Sequence, residues 1–231
     1  MTKPAATVTA TATALHEMPF VRLELAVLTV KDGALHVLLG KRTQVPFSGR
    51  WALPGGVIRI DLDDDLVGGC QRVATERLGT TLPPLSQVCA AGSRRRDPRA
   101  PWAISIVYRC LMPLDQLQAQ PGKRLEKLEW FNADDAAGNQ ALAFDHSKLV
   151  GIAVEATRAD FQGLQFPANF LSEQFTLADL QLASEAVLGR RLDKSSFRRR
   201  LDDAGCVEAV DGAMRTGAFR PAQLFRLRPR N

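Results

Sequence analysis

The chain has 231 residues, of which 45% are hydrophobic and 24% charged, with a formal net charge of +5. That length holds one large domain or two modest ones, and the composition is that of a globular protein, with a mild basicity that permits an anionic partner. Cys70, Cys89, Cys110 and Cys206 stand far apart with no histidine at ligand spacing, which argues against a zinc site or disulfide framework and fits reduced thiols in the cytoplasm.

In chain order, residues 1–17 are rich in Ala and Thr and lack the charged start and apolar run of a secretory signal, so they read as a disordered tail. Nowhere does the chain approach the roughly eighteen consecutive apolar residues of a membrane span. Residues 21–30 are rich in Leu and β-branched side chains, Lys31-Asp32-Gly33 supplies turn chemistry, and residues 35–39 follow as the paired strand of a hairpin. Pro54-Gly55-Gly56 then interrupts the chain ahead of a helix placed at 62–78, with Gly79 at its C-terminus. Gly68-Gly69 inside that helix costs about 1 kcal/mol per glycine against alanine, and marks either close packing or a relaxed helix. Residues 103–111 form a buried strand and residues 127–131 a shorter one. Strands interleaved with a helix in this way predict an α/β sandwich through about residue 145.

Asp145 is placed to cap a second helical pattern running to Arg158, with His146 read as a hydrogen-bonding residue at the helix start. Residues 161–167 read as an interdomain connection. Beyond it, Thr176-Leu177-Ala178-Asp179 has the form of a capping box with Asp in place of Glu, opening a helix that ends at Gly189. Asp193 caps a second short helix at 194–203, which stops at Gly205. Residues 207–210 and 223–227 are strands around a tip at 211–221. Helix, turn, basic helix and hairpin make a winged helix-turn-helix.

The charge is concentrated in that last part. From Gly189 onward eleven basic and five acidic residues leave +6, more than the +5 of the whole chain. With Phe197 and Leu201 facing the core, Lys194, Ser195, Ser196, Arg198 and Arg199 project elsewhere, in a pattern suited to major-groove entry. Arg215 and Arg220 on the hairpin reach phosphates or an adjacent minor groove. A solvated helical face is the bland alternative for Arg198-Arg199-Arg200. RNA binding is disfavoured by the scarcity of aromatics for stacking.

Two segments carry a family resemblance. Trp51-Ala52-Leu53-Pro54-Gly55-Gly56-Val57, followed by Arg72-Val73-Ala74-Thr75-Glu76-Arg77-Leu78-Gly79, resembles the Nudix box, whose pattern is REUxEExG with U a bulky apolar residue. Arg72, Glu76 and Gly79 are kept, whereas Val73 and Arg77 stand where the family has metal-holding glutamates. Asp64 lies two residues later than the box's first acidic position, counted from Gly56. One glutamate beside a guanidinium is a poor magnesium site, because hard cations want several oxygen ligands. No catalytic or metal-binding residue, no required cofactor and no Mg2+ are therefore assigned. Together with Ala143-Phe144-Asp145-His146, Phe175-Thr176-Leu177, Leu192-Asp193-Lys194, Phe197-Arg198-Arg199 and Arg220-Pro221-Ala222, the box makes the chain similar to the Nudix-related transcriptional regulators of the NrtR type.

The resemblance implies an α+β protein: a Nudix-like α/β/α sandwich at 18–160 that senses a ligand, then a winged helix-turn-helix at 161–231. It implies a homodimer that represses genes of NAD metabolism or a sugar pathway, and that leaves its double-stranded DNA operator when a phosphorylated metabolite such as ADP-ribose occupies the Nudix-like pocket. As ligand contacts we single out Arg50 and Trp51 before the Gly-Gly turn, Arg72, Glu76 and Arg77 on the box helix, and Arg95 and Arg99 in the charged loop, since arginine forks fit diphosphate oxygens. Trp51 in the core, Arg72–Glu76 as an ion pair and a merely solvated loop are the alternatives. The competing function is an active Nudix hydrolase drawing metal ligands from Asp61, Asp63, Asp64 or Asp65 with Glu76.

Overall fold

A computed structural model describes residues 18–168, 170–216 and 221–228. The predicted tail at 1–17 and Arg220 on the hairpin tip lie outside them. The chain opens with β1 (Phe20–Lys31) and β2 (Ala34–Arg42), joined by a two-residue turn. Asp32 and Gly33 there have φ of 50° and 74°, the left-handed values that a primed hairpin turn demands and that Asp and Gly tolerate. Next come β3 (Trp51–Ala52), β4 (Gly55–Val57), α1 (Leu66–Leu78), β5 (Ser86–Ser93), β6 (Ala103–Leu111), β7 (Leu125–Asn132), α2 (Ala133–Gly138) and α3 (His146–Gln162). The strands form one mixed sheet in the order β3-β2-β1-β6-β5, with β4 also on β1 and β7 on β2. Among the described strands only β1 and β6 run parallel, in register from Phe20 opposite Ala103 to Leu28 opposite Leu111.

Alternation along β1 splits the core in two. Leu23, Leu25 and Val27 pack with Cys70, Val73, Ala74 and Leu78 of α1 on one face. Ala26 and Leu28 pack with Leu149, Val150, Ala153 and Val154 of α3 on the other. Helices thus cover both faces of the sheet, the α/β/α arrangement expected. Helix α1 starts four residues later than predicted, because Asp65 caps it by accepting from the Gly68 amide at 2.7 Å. Close packing explains Gly69: a Cβ there would sit 2.8 Å from Leu23 Cδ1.

The C-terminal part comprises α4 (Leu177–Leu188), α5 (Lys194–Ala204) and the hairpin β8 (Val207–Arg215) with β9 (Ala222–Leu227). The capping box at Thr176 forms as read, with Thr176 and Asp179 exchanging side chain-to-backbone bonds. Leu180, Ala183 and Val187 of α4, with Phe197 and Leu201 of α5, join the same apolar cluster as the α3 face of the sheet. Fully burying each such Leu, Val or Phe contributes about 1.5–3 kcal/mol, so the winged helix is seated on the sandwich rather than tethered beside it. No described helix is long and apolar enough to cross a membrane.

Candidate ligand cleft and nucleic-acid interface

The Nudix-box loop folds over a cleft walled by arginine. Arg22 of β1, Arg42 of β2, Arg77 of α1, Arg99 and Arg124 line it together with Leu53, Gly55 and Leu125. Arg77, at the position of a family glutamate, is buried. Its Nε donates to the Gly55 carbonyl at 2.8 Å, its Nη1 to the Lys123 carbonyl at 3.2 Å, and Glu76 lies 3.5 Å away. Burial pushes this guanidinium down, and Glu76 only partly offsets that. A cation fixed to the chain therefore sits beside Glu76 on the box helix.

Behind the cleft lies a buried charged cluster. Arg22 Nε donates to Glu24 Oε1 at 2.7 Å. Burial works against both charges, yet each stabilises the other enough to leave Arg22 raised and Glu24 lowered. Ser105 Oγ also donates to Glu24 Oε1, and Arg96 bridges Ser105 Oγ to Asp145 Oδ2, the latter at 2.5 Å. Glu24 Oε2 is buried without a partner, as is Asp145 Oδ1. A Cβ on Gly55 would fall 1.7 Å from Glu24 Oε2, so this approach requires glycine. His146 accepts the Leu53 amide on Nδ1 at 2.9 Å, which leaves its proton on Nε2, 3.8 Å from Glu24. Burial lowers the His146 pKa to about 4, so the ring is neutral. His146 is the hydrogen-bonding residue expected, whereas Asp145 makes no side-chain cap and binds Arg96 instead.

Phe144 packs against these arginines, with guanidinium carbons of Arg42, Arg99 and Arg22 at 5.0, 5.7 and 5.9 Å from its ring centre. Three cations around one ring repel each other. Burial, then Arg22 and Arg99, bring Arg42 down to about 10. Arg99 is held by a two-pronged pair with Asp97, its Nε at 2.8 Å. The cleft is narrow, about 30 Å3. A cavity of about 810 Å3 lies elsewhere, between α4, residues 170–172 and the β1–β2 turn. It is largely apolar, with Arg190 and Arg191 at its rim, and phosphate chemistry points to the arginine cleft instead.

The other residues singled out from sequence are placed as follows. Arg50 is exposed, 5.9 Å from the Phe47 ring, and Trp51 packs edge-on against Phe131. Arg72 binds Asp63 at 2.5 Å and the Val57 carbonyl at 2.9 Å, with Glu76 a longer 3.4 Å contact. Arg95 faces solvent, and it is its neighbour Arg96 that turns inward. Arg22, Arg42 and Arg124 were missed. The one signal was Arg22-x-Glu24, an i,i+2 charged pair on one face of an otherwise apolar strand.

Asp61 is paired with Arg59, Asp63 with Arg72, and Asp65 caps α1. Among the described residues no three His, Cys, Asp or Glu side chains group as a metal site.

On the winged helix, Asp193 caps α5 through the Ser196 amide at 2.8 Å, which holds its carboxyl below the usual range. Lys194, Ser195, Ser196, Arg198 and Arg199 are all exposed, while Phe197 and Leu201 are buried. Lys194, Arg198 and Arg199 have no acidic partner among the described residues, in contrast to Arg226, paired with Glu208 at 2.5 Å. Arg215 is bound to Asp179 of the capping box at 2.6 Å, which ties the hairpin to α4.

Fold and sites define a Nudix sandwich carrying a winged-helix DNA-binding unit. Residues 22–150 match the NUDIX domain family, and residues 167–227 match the NrtR DNA-binding winged helix domain. The ADPR responsive transcriptional repressor NtrR of Acinetobacter baylyi is 34% identical over 208 residues, which is 90% of this chain and 82% of that protein. Shewanella oneidensis NrtR, solved with a 27mer DNA, is 32% identical with a TM-score of 0.74, covering 90% of this chain and 93% of that one. The NUDIX domain of that protein, solved with ADP ribose, is 30% identical with a TM-score of 0.55, over 61% of this chain and 90% of that one. The chain belongs to the NrtR family of Nudix-related regulators.

Proposed function

We propose that this chain is a transcriptional repressor whose operator complex is released by ADP-ribose, and that it does not hydrolyse that ligand. The observation that carries the reading is the five-arginine cleft closed by Arg77, which offers fixed positive charge to a diphosphate where the box has lost its metal carboxylates. Guanidinium forks suit such oxygens, and in a partly desolvated cleft their attraction exceeds that of surface charges. Hydrolysis would need a bound cation and a base, and of the carboxylates ahead of the box helix Asp61 and Asp63 are engaged by arginine and Asp65 by the helix end.

DNA reading is assigned to α5, with Lys194, Ser195, Ser196, Arg198 and Arg199 toward the major groove and Arg215 and Arg220 on the hairpin side. A homodimer follows from the need to match two half-sites about one helical turn apart, and light scattering tests it. For a hundredfold release, ADP-ribose must prefer the DNA-free conformation by about 2.7 kcal/mol. Since Asp145 and His146 begin α3, this helix and the connector at 161–167 are the transmitter.

Titration calorimetry in EDTA tests the cleft. Wild type binds ADP-ribose without metal, and Arg77→Glu loses about tenfold or more in affinity, the equivalent of about 1.4 kcal/mol. Binding that requires Mg2+, with AMP accumulating, restores the hydrolase reading.

A further inference from the structure

The winged helix is joined to α3 by two arginines that act reciprocally. Neither α3 nor α4 has a basic residue in its last turn. Yet the final carbonyls of a helix lack partners within it, and its C-terminus attracts positive charge. Each of these helices receives an arginine from the other side of the joint. Arg158 of α3 donates Nε to the Val187 carbonyl in the last turn of α4 at 3.1 Å, while its Nη2 binds Asp134 of α2 at 2.7 Å. Arg200 of α5 donates Nη2 to the carbonyl of Gln162, the last residue of α3, at 2.5 Å. Arg200 therefore differs from Arg198 and Arg199 beside it, because its guanidinium is engaged within the protein.

At its other end, α3 is fixed to the ligand cleft. Arg96 binds Asp145, and the Leu53 amide binds His146. Helices α4 and α5 thus meet α3 through the shared apolar cluster and through these two arginines.

We propose that Arg158 and Arg200 are positioning residues for operator binding, setting the pose of the recognition helix against α3 so that the ligand state of the cleft is read at the DNA surface. This rests on the reading of the chain as an ADP-ribose-responsive repressor. Without the reciprocal caps the winged helix still folds and still meets DNA, but its pose no longer follows α3.

The test is operator binding by the full chain, followed by fluorescence anisotropy over a series of salt concentrations, with and without ADP-ribose. Wild type is compared with Arg158→Lys, Arg200→Gln, Asp134→Asn and Arg198→Gln. Arg200→Gln keeps the wild-type salt slope, whereas Arg198→Gln lowers it by about one unit, as loss of a phosphate contact does. Arg158→Lys and Arg200→Gln reduce the ADP-ribose-induced change in Kd by about tenfold, and Asp134→Asn, at an exposed residue that leaves the core untouched, reduces it by about threefold. An Arg200→Gln slope lowered by one unit, or an ADP-ribose response equal to wild type in all three joint variants, overturns the proposal. A wild type that binds operator but ignores ADP-ribose overturns the repressor reading itself, and the inference with it.

Discussion

Arginine is used in two opposite ways in this molecule. In the cleft, Arg22, Arg77 and Arg96 are buried, and Arg22 and Arg96 each meet a carboxylate. On α5, Lys194, Arg198 and Arg199 stand in solvent with no acidic partner among the described residues. A buried guanidinium keeps its charge only when its surroundings compensate for lost water, so the cleft is expensive to build. An exposed one costs little, and it remains available to exchange counterions for phosphate. On the proposed reading, substitutions in the first region are therefore expected to act on stability and ligand, and in the second on DNA and salt dependence.

The largest effect expected is at Glu24. Glu24→Ala removes the carboxylate that Arg22, Ser105 and His146 share and leaves buried positive charge, at a cost of about 3–5 kcal/mol in urea denaturation. If the loss is under 1 kcal/mol, the buried cluster is not what holds the cleft.

Next is the pH profile. His146 titrates near 4 in the folded chain against an ordinary 6.5, so the unfolded chain binds the extra proton in between. Its contribution is complete above about pH 6.5 and falls by roughly 3 kcal/mol as the pH drops toward 4. His146→Gln should flatten that part of the curve, and an unchanged slope would mean that the ring is protonated when folded.

Arg199→Ala should weaken operator binding by about 1–2 kcal/mol and reduce the salt slope by about one unit, with the melting temperature unmoved. A melting shift of several degrees would place Arg199 with the buried class. The smallest effect is expected at Arg226, whose pair with Glu208 is exposed. Arg226→Ala should change stability by about 0.5 kcal/mol or less.

The same contrast explains what could be read from sequence. The winged helix was legible because its signals are local: the Thr176–Asp179 box, Asp193 before Lys194, and Phe197 with Leu201 four apart on an arginine-rich helix. The strand at Ala103–Leu111 was legible because it is mostly apolar and rich in β-branched residues, broken only by Ser105 and Arg109. Strand β5 was not, since Cys89-Ala90-Ala91-Gly92 has neither alternation nor β-branching and pairs only because β6 lies beside it. The cleft was legible in part. Arg77 and Arg99 belong to recognisable segments, but Arg22, Arg42 and Arg124 are brought together by sheet register across about a hundred residues of chain, which leaves no local pattern. Arg95 and Arg96 show the limit most plainly. Adjacent and alike in sequence, they differ only in that Arg96 finds Ser105 and Asp145 inside the fold.

The central claim is that charge supplied by the chain, rather than by metal, couples ADP-ribose to DNA release. Its most direct test is anisotropy of a labelled operator fragment from upstream of the chain's own gene, titrated with ADP-ribose in EDTA. The account predicts a specific complex that dissociates as ADP-ribose is added, with the nucleotide recovered intact. A complex that dissociates only when Mg2+ is supplied, or one that ADP-ribose leaves untouched, would contradict it.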